Sequence, residues 1–210
     1  MTFNSIHDTT HLYFVTASVV EWIPLFKYPK HTEIILNSLS WMQERKRLLL
    51  FAFVIMPTHV HLLIKPEQQS IGEIIQQFGS FTAHEILKKV REIQQFGSFT
   101  AHEILKKVRE DGKNEWLKIF EQENRDPRHK HSIWQDIQAK NIFSMQVLEQ
   151  KIEYIHQNPI AKDWNLATDR ANYVYSSAGY YDYGRKPIIE ITDINKWLAS
   201  TPPPRTAEGA

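Results

Sequence analysis

The stretch Leu48–Lys65, LLLFAFVIMPTHVHLLIK, places two histidines one residue apart inside what otherwise reads as buried strand. Leu48 to Met56 and His59 to Lys65 are apolar runs of strand length, and Pro57-Thr58 is a two-residue link. Such a link between such runs predicts an antiparallel hairpin. In a strand, residues i and i+2 face the same way. His59 and His61 therefore project from one face, about 7 Å apart at the backbone. Val60 and Leu62 turn to the other face, where the core is expected. Two imidazoles at this spacing can converge on one divalent ion. The plainer alternative is a pair of histidines hydrogen-bonded to neighbours on a polar sheet face.

Outward from the hairpin, His11 to Trp22 (HLYFVTASVVEW) is aromatic and β-branched and predicts a strand. Pro24 and Pro29 precede a helical pattern from about His31 to Arg45, carried by Ile34, Ile35, Leu36, Leu39 and Met42. Ile133 to Phe143 predicts a fourth strand. Ser144 can cap a helix that runs to about Asn158, where Pro159 stops it. Tyr173 to Tyr183 (YVYSSAGYYDY) reads as irregular or as a short helix, and Ile188 to Trp197 as a small closing element. The order strand, helix, strand, strand, helix, strand, helix describes an α+β domain of ferredoxin-like type. Its antiparallel sheet is expected to carry helices packed on one face. One domain over residues 1–198 is expected, with a disordered tail at 199–210.

Between the hairpin and the fourth strand the sequence repeats itself. Residues 75–92 read IQQFGSFTAHEILKKVRE, and residues 93–110 read the same again. Two copies do not make a solenoid. Eighteen residues are five whole helical turns, so a second copy would keep the first copy's phase while adding roughly 27 Å. Gly79 and Gly97 each weaken a continuous helix by about 1 kcal/mol relative to alanine. A long projecting helix and a helical hairpin bent at Gly97 are both compatible with the repeat, the first being preferred. Asp111 to Lys130 reads as a short helix followed by a basic loop.

The 210 residues carry a formal net charge of +1, so overall charge does not point to nucleic acid. Positive side chains gather locally, at Lys88, Lys89, Arg91 and their repeats, and in the run Arg125–His131, RDPRHKH. The absence of cysteine excludes disulfides, thiolate metal sites and a cysteine nucleophile. No signal peptide is read, and no apolar segment approaches the ~20 residues of a membrane span. A soluble, cytoplasmic protein is expected.

A second motif, Tyr154-Ile155-His156-Gln157-Asn158-Pro159, closes the last long helix. Tyr154 and Asn158 are four residues apart and share a helical face. An asparagine amide oxygen is a suitable ligand for Mg²⁺ or Mn²⁺ beside two imidazoles. Two histidines and one asparagine would leave coordination positions open for a phosphate oxygen, with a tyrosine phenol at hand to attack phosphorus.

Together, MPTHVHLLI on a strand and YIHQNP about ninety residues later resemble the single-tyrosine HUH transposases of the IS200-like family. The pattern is most similar to the REP-associated tyrosine transposases. The likeness extends over roughly residues 8 to 183, taking in Phe81-Thr82, Ile133-Trp134-Gln135 and Tyr175-Ser176-Ser177. The resemblance implies that His59, His61 and Asn158 hold the metal, Mg²⁺ or Mn²⁺. His156 and Gln157 are alternatives to Asn158, but Gln157 points about 100° away from Tyr154 on a helix. It further implies that Tyr154 cleaves single-stranded DNA at imperfect hairpins, leaving a 5′-phosphotyrosine bond and a free 3′-hydroxyl. Arg125, Arg128, Lys130, Lys88 and Lys89 are the expected DNA contacts. In this family the tyrosine helix serves its own subunit or a partner's, so a homodimer is compatible with the motif, and the repeat lengthens the connection on which that choice depends.

Two rival functions fit parts of the pattern. A zinc hydrolase would need a positioned carboxylate, and Asp136 and Glu153 carry no recognisable spacing for that role. A DNA-hairpin-binding protein of the same fold without transposition activity would retain every motif.

Overall fold

The computed structural model describes residues 10–96 (backbone alone from residue 87), 115–116, 118–119 and 133–200. Four strands form one antiparallel sheet: β1 (Leu12–Val19), β2 (Leu48–Ile55), β3 (His59–Pro66) and β4 (Trp134–Ile142), in the order β2-β3-β1-β4. With helices α1 (Pro29–Glu44) and α2 (Ile71–Phe96) as the two crossovers, this is the ferredoxin-like α+β fold that the element order predicts.

The β2–β3 hairpin forms where expected, and Met56 N–H donates to the His59 carbonyl at 2.8 Å to close it. A register shift between Leu50 and Ala52 marks a bulge in β2. The extra residue reverses the alternation, so Leu50 and Phe53 share one face while Phe51, Ala52 and Val54 share the other. On the first face Val15, Ala17, Val60 and Leu62 are buried against Ile35, Leu39 and Met42 of α1 and Ile74, Phe78 and Ile86 of α2.

Among the described residues, the first copy of the repeat supplies sheet contacts of α2 through Phe78, Gly79 and Ile86. A Cβ on Gly79 would come within 2.9 Å of Ile137 Cδ1, so glycine lets this helix approach β4 closely. Thr82 Oγ1 accepts from Trp134 Nε1 at 2.9 Å on the same flank. A capping box fixes the start of α2: Ser70 N–H donates to Glu73 Oε2 at 2.8 Å, and Glu73 N–H to Ser70 Oγ at 3.3 Å. The proposed break at Gly97 and the remainder of the second copy lie outside the described residues, as do the basic loop and residues 201–210 of the expected tail, whose first two residues, Ala199 and Ser200, belong to the last helix.

The expectation of helices on one face describes α1 and α2, but a second helical layer covers the face that carries the histidines. Helix α3 (Met145–Gln157) lies there, and Leu148 and Ile155 pack with Phe14, Phe51, Val54 and Leu63 and with Ile194 of the last helix. The sequence of β2 already contains the reason, since it is apolar at both parities, as in a strand buried on both faces. Ser144 caps α3, its Oγ accepting from Val147 N–H at 3.3 Å, and Pro159 turns the chain into a 3₁₀ turn over Asn158–Ile160.

The aromatic segment after residue 172 seals the free edge of β2. Ile55 N–H donates to the Tyr175 carbonyl, while the hydroxyls of Tyr173 and Tyr181 donate to the carbonyls of Ile55 and Phe51. The first strand is shorter than its sequence predicts. It ends at Val19, and Val20–Trp22 form a 3₁₀ turn in which Glu21 and Trp22 take left-handed φ values of 51° and 54°. Among the described residues, no helix is long and apolar enough to cross a membrane.

Candidate metal centre and nucleophile

In the sheet register, Thr16 of β1 lies opposite His61 and Ser18 opposite His59. Period-two alternation places both imidazoles on one face, with ring centroids 4.8 Å apart. The face is not polar. His59 is 5% exposed and His61 4%, beneath α3. His61 stacks on Phe14 at 5.3 Å, and His59 stands between the rings of Trp22 at 5.9 Å and Trp164 at 5.5 Å.

Each ring is oriented from behind. Thr16 Oγ1 lies 3.0 Å from His61 Nδ1, and Thr58 Oγ1 lies 3.0 Å from His59 Nδ1. These contacts engage the two Nδ1 atoms and turn both Nε2 atoms away from the threonines. His61 Nε2 is buried and has no hydrogen-bond partner among the described residues. A buried ring nitrogen without a partner is costly unless something fills its coordination direction.

Burial disfavours the charged form of both rings. It lowers His59, with a hydrogen bond from Asn158 opposing the shift, and it pushes His61 down to about 3, helped by the charges of His59 and Lys151. Neutral imidazole is the metal-binding form.

Helix α3 brings the second motif over this pair. The Tyr154 ring lies 5.1 Å from that of His61 and 5.9 Å from Phe14, and the residue is 49% exposed at the rim. Asn158, one turn on, is buried; its Nδ2 donates to the Tyr154 carbonyl at 2.8 Å. That bond directs the amide oxygen toward His59, with which the Asn158 side chain is hydrogen-bonded. The alternatives for the third ligand are engaged elsewhere. His156 Nε2 pairs with Ser177 Oγ at 2.8 Å in the core, and Gln157 donates to Glu153 at 2.8 Å on the outer face.

The donor set of two imidazoles and one amide oxygen fits a divalent ion. It is neutral, so a bound ion would keep its full charge for a substrate anion. Among the described residues no group of three or more His, Cys, Asp or Glu is placed to hold a metal. The carboxylates weighed for a zinc hydrolase are committed otherwise. Glu153 pairs with Arg170 at 2.7 Å, and Asp136 accepts from Gln138.

Beside His61 the sheet opens into a groove of about 130 Å³, lined by Phe14, Thr16, Ser18, Asp136, Gln138 and Lys140. Thr16, Thr58 and Phe14 were not legible as site residues in the sequence. They reach the site through cross-strand register and a hairpin turn rather than through a local pattern. Of the expected DNA contacts, Lys88 and Lys89 fall within α2, whereas Arg125, Arg128 and Lys130 lie outside the described residues.

A ferredoxin-like sheet with a histidine pair on β3 and a tyrosine helix above it defines the class of fold. Residues 11–103 match the family described as Transposase IS200 like. The matched segment runs from β1 through the histidine pair into α2 and ends before Tyr154. Among solved structures, the fold is similar to that of a REP-associated tyrosine transposase bound to a REP hairpin. The two share 13% identity with a TM-score of 0.53, over 92% of this chain and 93% of that one. A candidate transposase from Deinococcus radiodurans aligns at 13% identity over 74% of this chain and 95% of that one, with a TM-score of 0.40. No curated protein matches the sequence.

Proposed function

We propose that this chain is a metal-dependent endonuclease and strand transferase for single-stranded DNA carrying hairpins, with Tyr154 as its nucleophile. The observation that carries the reading is the position of the Tyr154 ring, half-exposed and 5.1 Å from His61, above a buried pair of neutral imidazoles. The match of residues 11–103 to the IS200-like family and the likeness of the fold to a transposase holding a REP hairpin support the substrate class.

In this proposal His59, His61 and Asn158 hold Mg²⁺ or Mn²⁺. When bound, the ion supplies Lewis-acid polarisation of a phosphate oxygen. Thr16 and Thr58 hold the imidazoles through Nδ1, and the Nδ2 bond of Asn158 fixes its amide beside His59. Tyr154 Oη attacks phosphorus, forming a new O–P bond as the P–O3′ bond breaks. The phenol loses its proton to solvent, and the departing 3′-oxygen takes one up. The products are a 5′-phosphotyrosine and a free 3′-hydroxyl. Attack by a different 3′-hydroxyl reverses the step and joins strands without an external energy source. Arg125, Arg128, Lys130, Lys88 and Lys89 are proposed to contact the DNA backbone, whose charge basic side chains neutralise. A homodimer is compatible with this scheme.

The test is incubation with hairpin-bearing single-stranded DNA and Mn²⁺, followed by a denaturing gel. A protein–DNA adduct that requires Mn²⁺ and disappears in Tyr154→Phe is expected. Hairpin binding with no adduct from the native chain would instead identify a DNA-binding protein that has kept the fold alone.

A further inference from the structure

Lys151 precedes Tyr154 by three residues on α3, so the two share a helical face. Its Nζ lies 4.6 Å from the centroid of the Phe14 ring and 5.6 Å from that of Tyr154. His61 stacks on the same Phe14 ring. The lysine is half-buried, and among the described residues it forms no ion pair. The acidic groups nearby are otherwise occupied. Arg170, further round α3, is held by Glu153 and Asp182, and Asp136 in the adjoining groove accepts from Gln138.

A cation–π contact at a partly exposed site contributes only about 0.5–1 kcal/mol, little return for ordering a long side chain without a carboxylate. The arrangement is better explained by an anion that arrives with the substrate. Neutral imidazoles, a phenol and an ammonium group surround the place where Tyr154 would meet phosphorus, and among the described residues the carboxylate of the adjoining groove, Asp136, is taken up by Gln138.

We propose that Lys151 is a catalytic residue that binds a non-bridging oxygen of the scissile phosphate and holds the charge gathering there as Tyr154 attacks. This rests on the function proposed above. Lys151 transfers no proton in this step; the bond changes are those of Tyr154 and the 3′-oxygen. A compact charge on a flexible stem suits the role, because the oxygen shifts as phosphorus passes between two ligands. Phe14 and Tyr154 guide the stem and direct Nζ over the reacting side of the helix.

The experiment follows single-turnover adduct formation at saturating hairpin DNA with Mn²⁺, for the native chain, Lys151→Met, Lys151→Gln and Lys151→Arg. Hairpin dissociation constants and melting midpoints are measured alongside. Loss of one electrostatic contact to the transition state is expected to slow Lys151→Met and Lys151→Gln about 100-fold. Hairpin affinity should stay within about threefold, the mark of an interaction made in the transition state rather than the ground state. Lys151→Arg should recover to within about tenfold of native, since it restores charge but not shape. A Gln variant that folds and reacts at the native rate overturns the proposal, as does an Arg variant no faster than Gln. If the native chain itself forms no adduct, the proposed function fails first, which separates the two ideas.

Discussion

The hydroxyl of Thr16 stands 3.0 Å from His61 Nδ1, across the β1–β3 ladder in which the two residues are directly paired. This contact turns the far nitrogen of the ring, buried and without a partner among the described residues, toward the Tyr154 side of the sheet. A strand neighbour thereby sets the direction in which a proposed metal ligand presents its second nitrogen. Thr16→Val keeps the β-branched shape and removes the hydroxyl. Outer contacts of this kind tune metal affinity by about 10–100-fold. Calorimetric titration with Mn²⁺ should show weakening in that range with little change in fold. Native affinity in the valine variant would remove Thr16 from the account.

The buried histidines are expected to make the folded chain sensitive to acid. His61 is pushed down to about 3 and His156 to about 4, and His59 is lowered as well, with burial the leading cause in each case. Their ordinary value is 6.5, so between that pH and the folded values the unfolded chain binds more protons. Stability is therefore fully present above pH 6.5 and is lost as pH falls toward 4, by up to about 1.4 kcal/mol per pH unit for each group. Urea unfolding in EDTA at pH 7.5, 6 and 5 should give steadily falling midpoints. Midpoints that hold or rise toward pH 5 would contradict the buried, neutral state of these rings.

Ser177 ties the tyrosine helix to the edge of the sheet. Its hydroxyl lies 2.8 Å from His156 Nε2 and accepts from Phe53 N–H at 3.0 Å, all of it buried. His156 sits on α3 between Tyr154 and Asn158, so the serine holds the helix segment that carries both. Ser177→Ala leaves buried polar groups unpaired and is expected to cost about 1–3 kcal/mol in urea unfolding. An unchanged midpoint would show that this network is dispensable.

The first copy of the repeat provides Phe78, Gly79, Thr82 and Ile86 for packing against the sheet. Removing residues 93–110 leaves all of those contacts in place. The shortened chain is expected to unfold cooperatively, with far-ultraviolet circular dichroism of a folded α+β protein. Loss of cooperative unfolding would show that the second copy is structural.

Much of the site was legible because its parts obey short-range periodicities. The period-two rule placed His59 and His61 together, and the four-residue helical spacing placed Tyr154 over Asn158. Ser144 and Pro159 bounded the helix between them. What escaped depends on contacts between distant segments. Nothing near Thr16, Phe14 or Trp164 in the chain marks them as neighbours of a histidine; strand register and the turn after Asn158 bring them there. The second helical layer was written in the all-apolar run of β2, but the bulge after Leu50 that apportions that run between two faces has no local signal. Glu21 and Trp22 end β1 in a left-handed turn, where a reading of strand propensity carries on.

The central claim is that Tyr154 becomes covalently joined to DNA. The direct measurement is tandem mass spectrometry of the nuclease-trimmed, protease-digested product formed with hairpin DNA and Mn²⁺. The account expects a nucleotide phosphate on Tyr154, within the peptide spanning YIHQNP, and on no other tyrosine. A phosphate mapped to a different residue, or an adduct that persists in Tyr154→Phe, would contradict it.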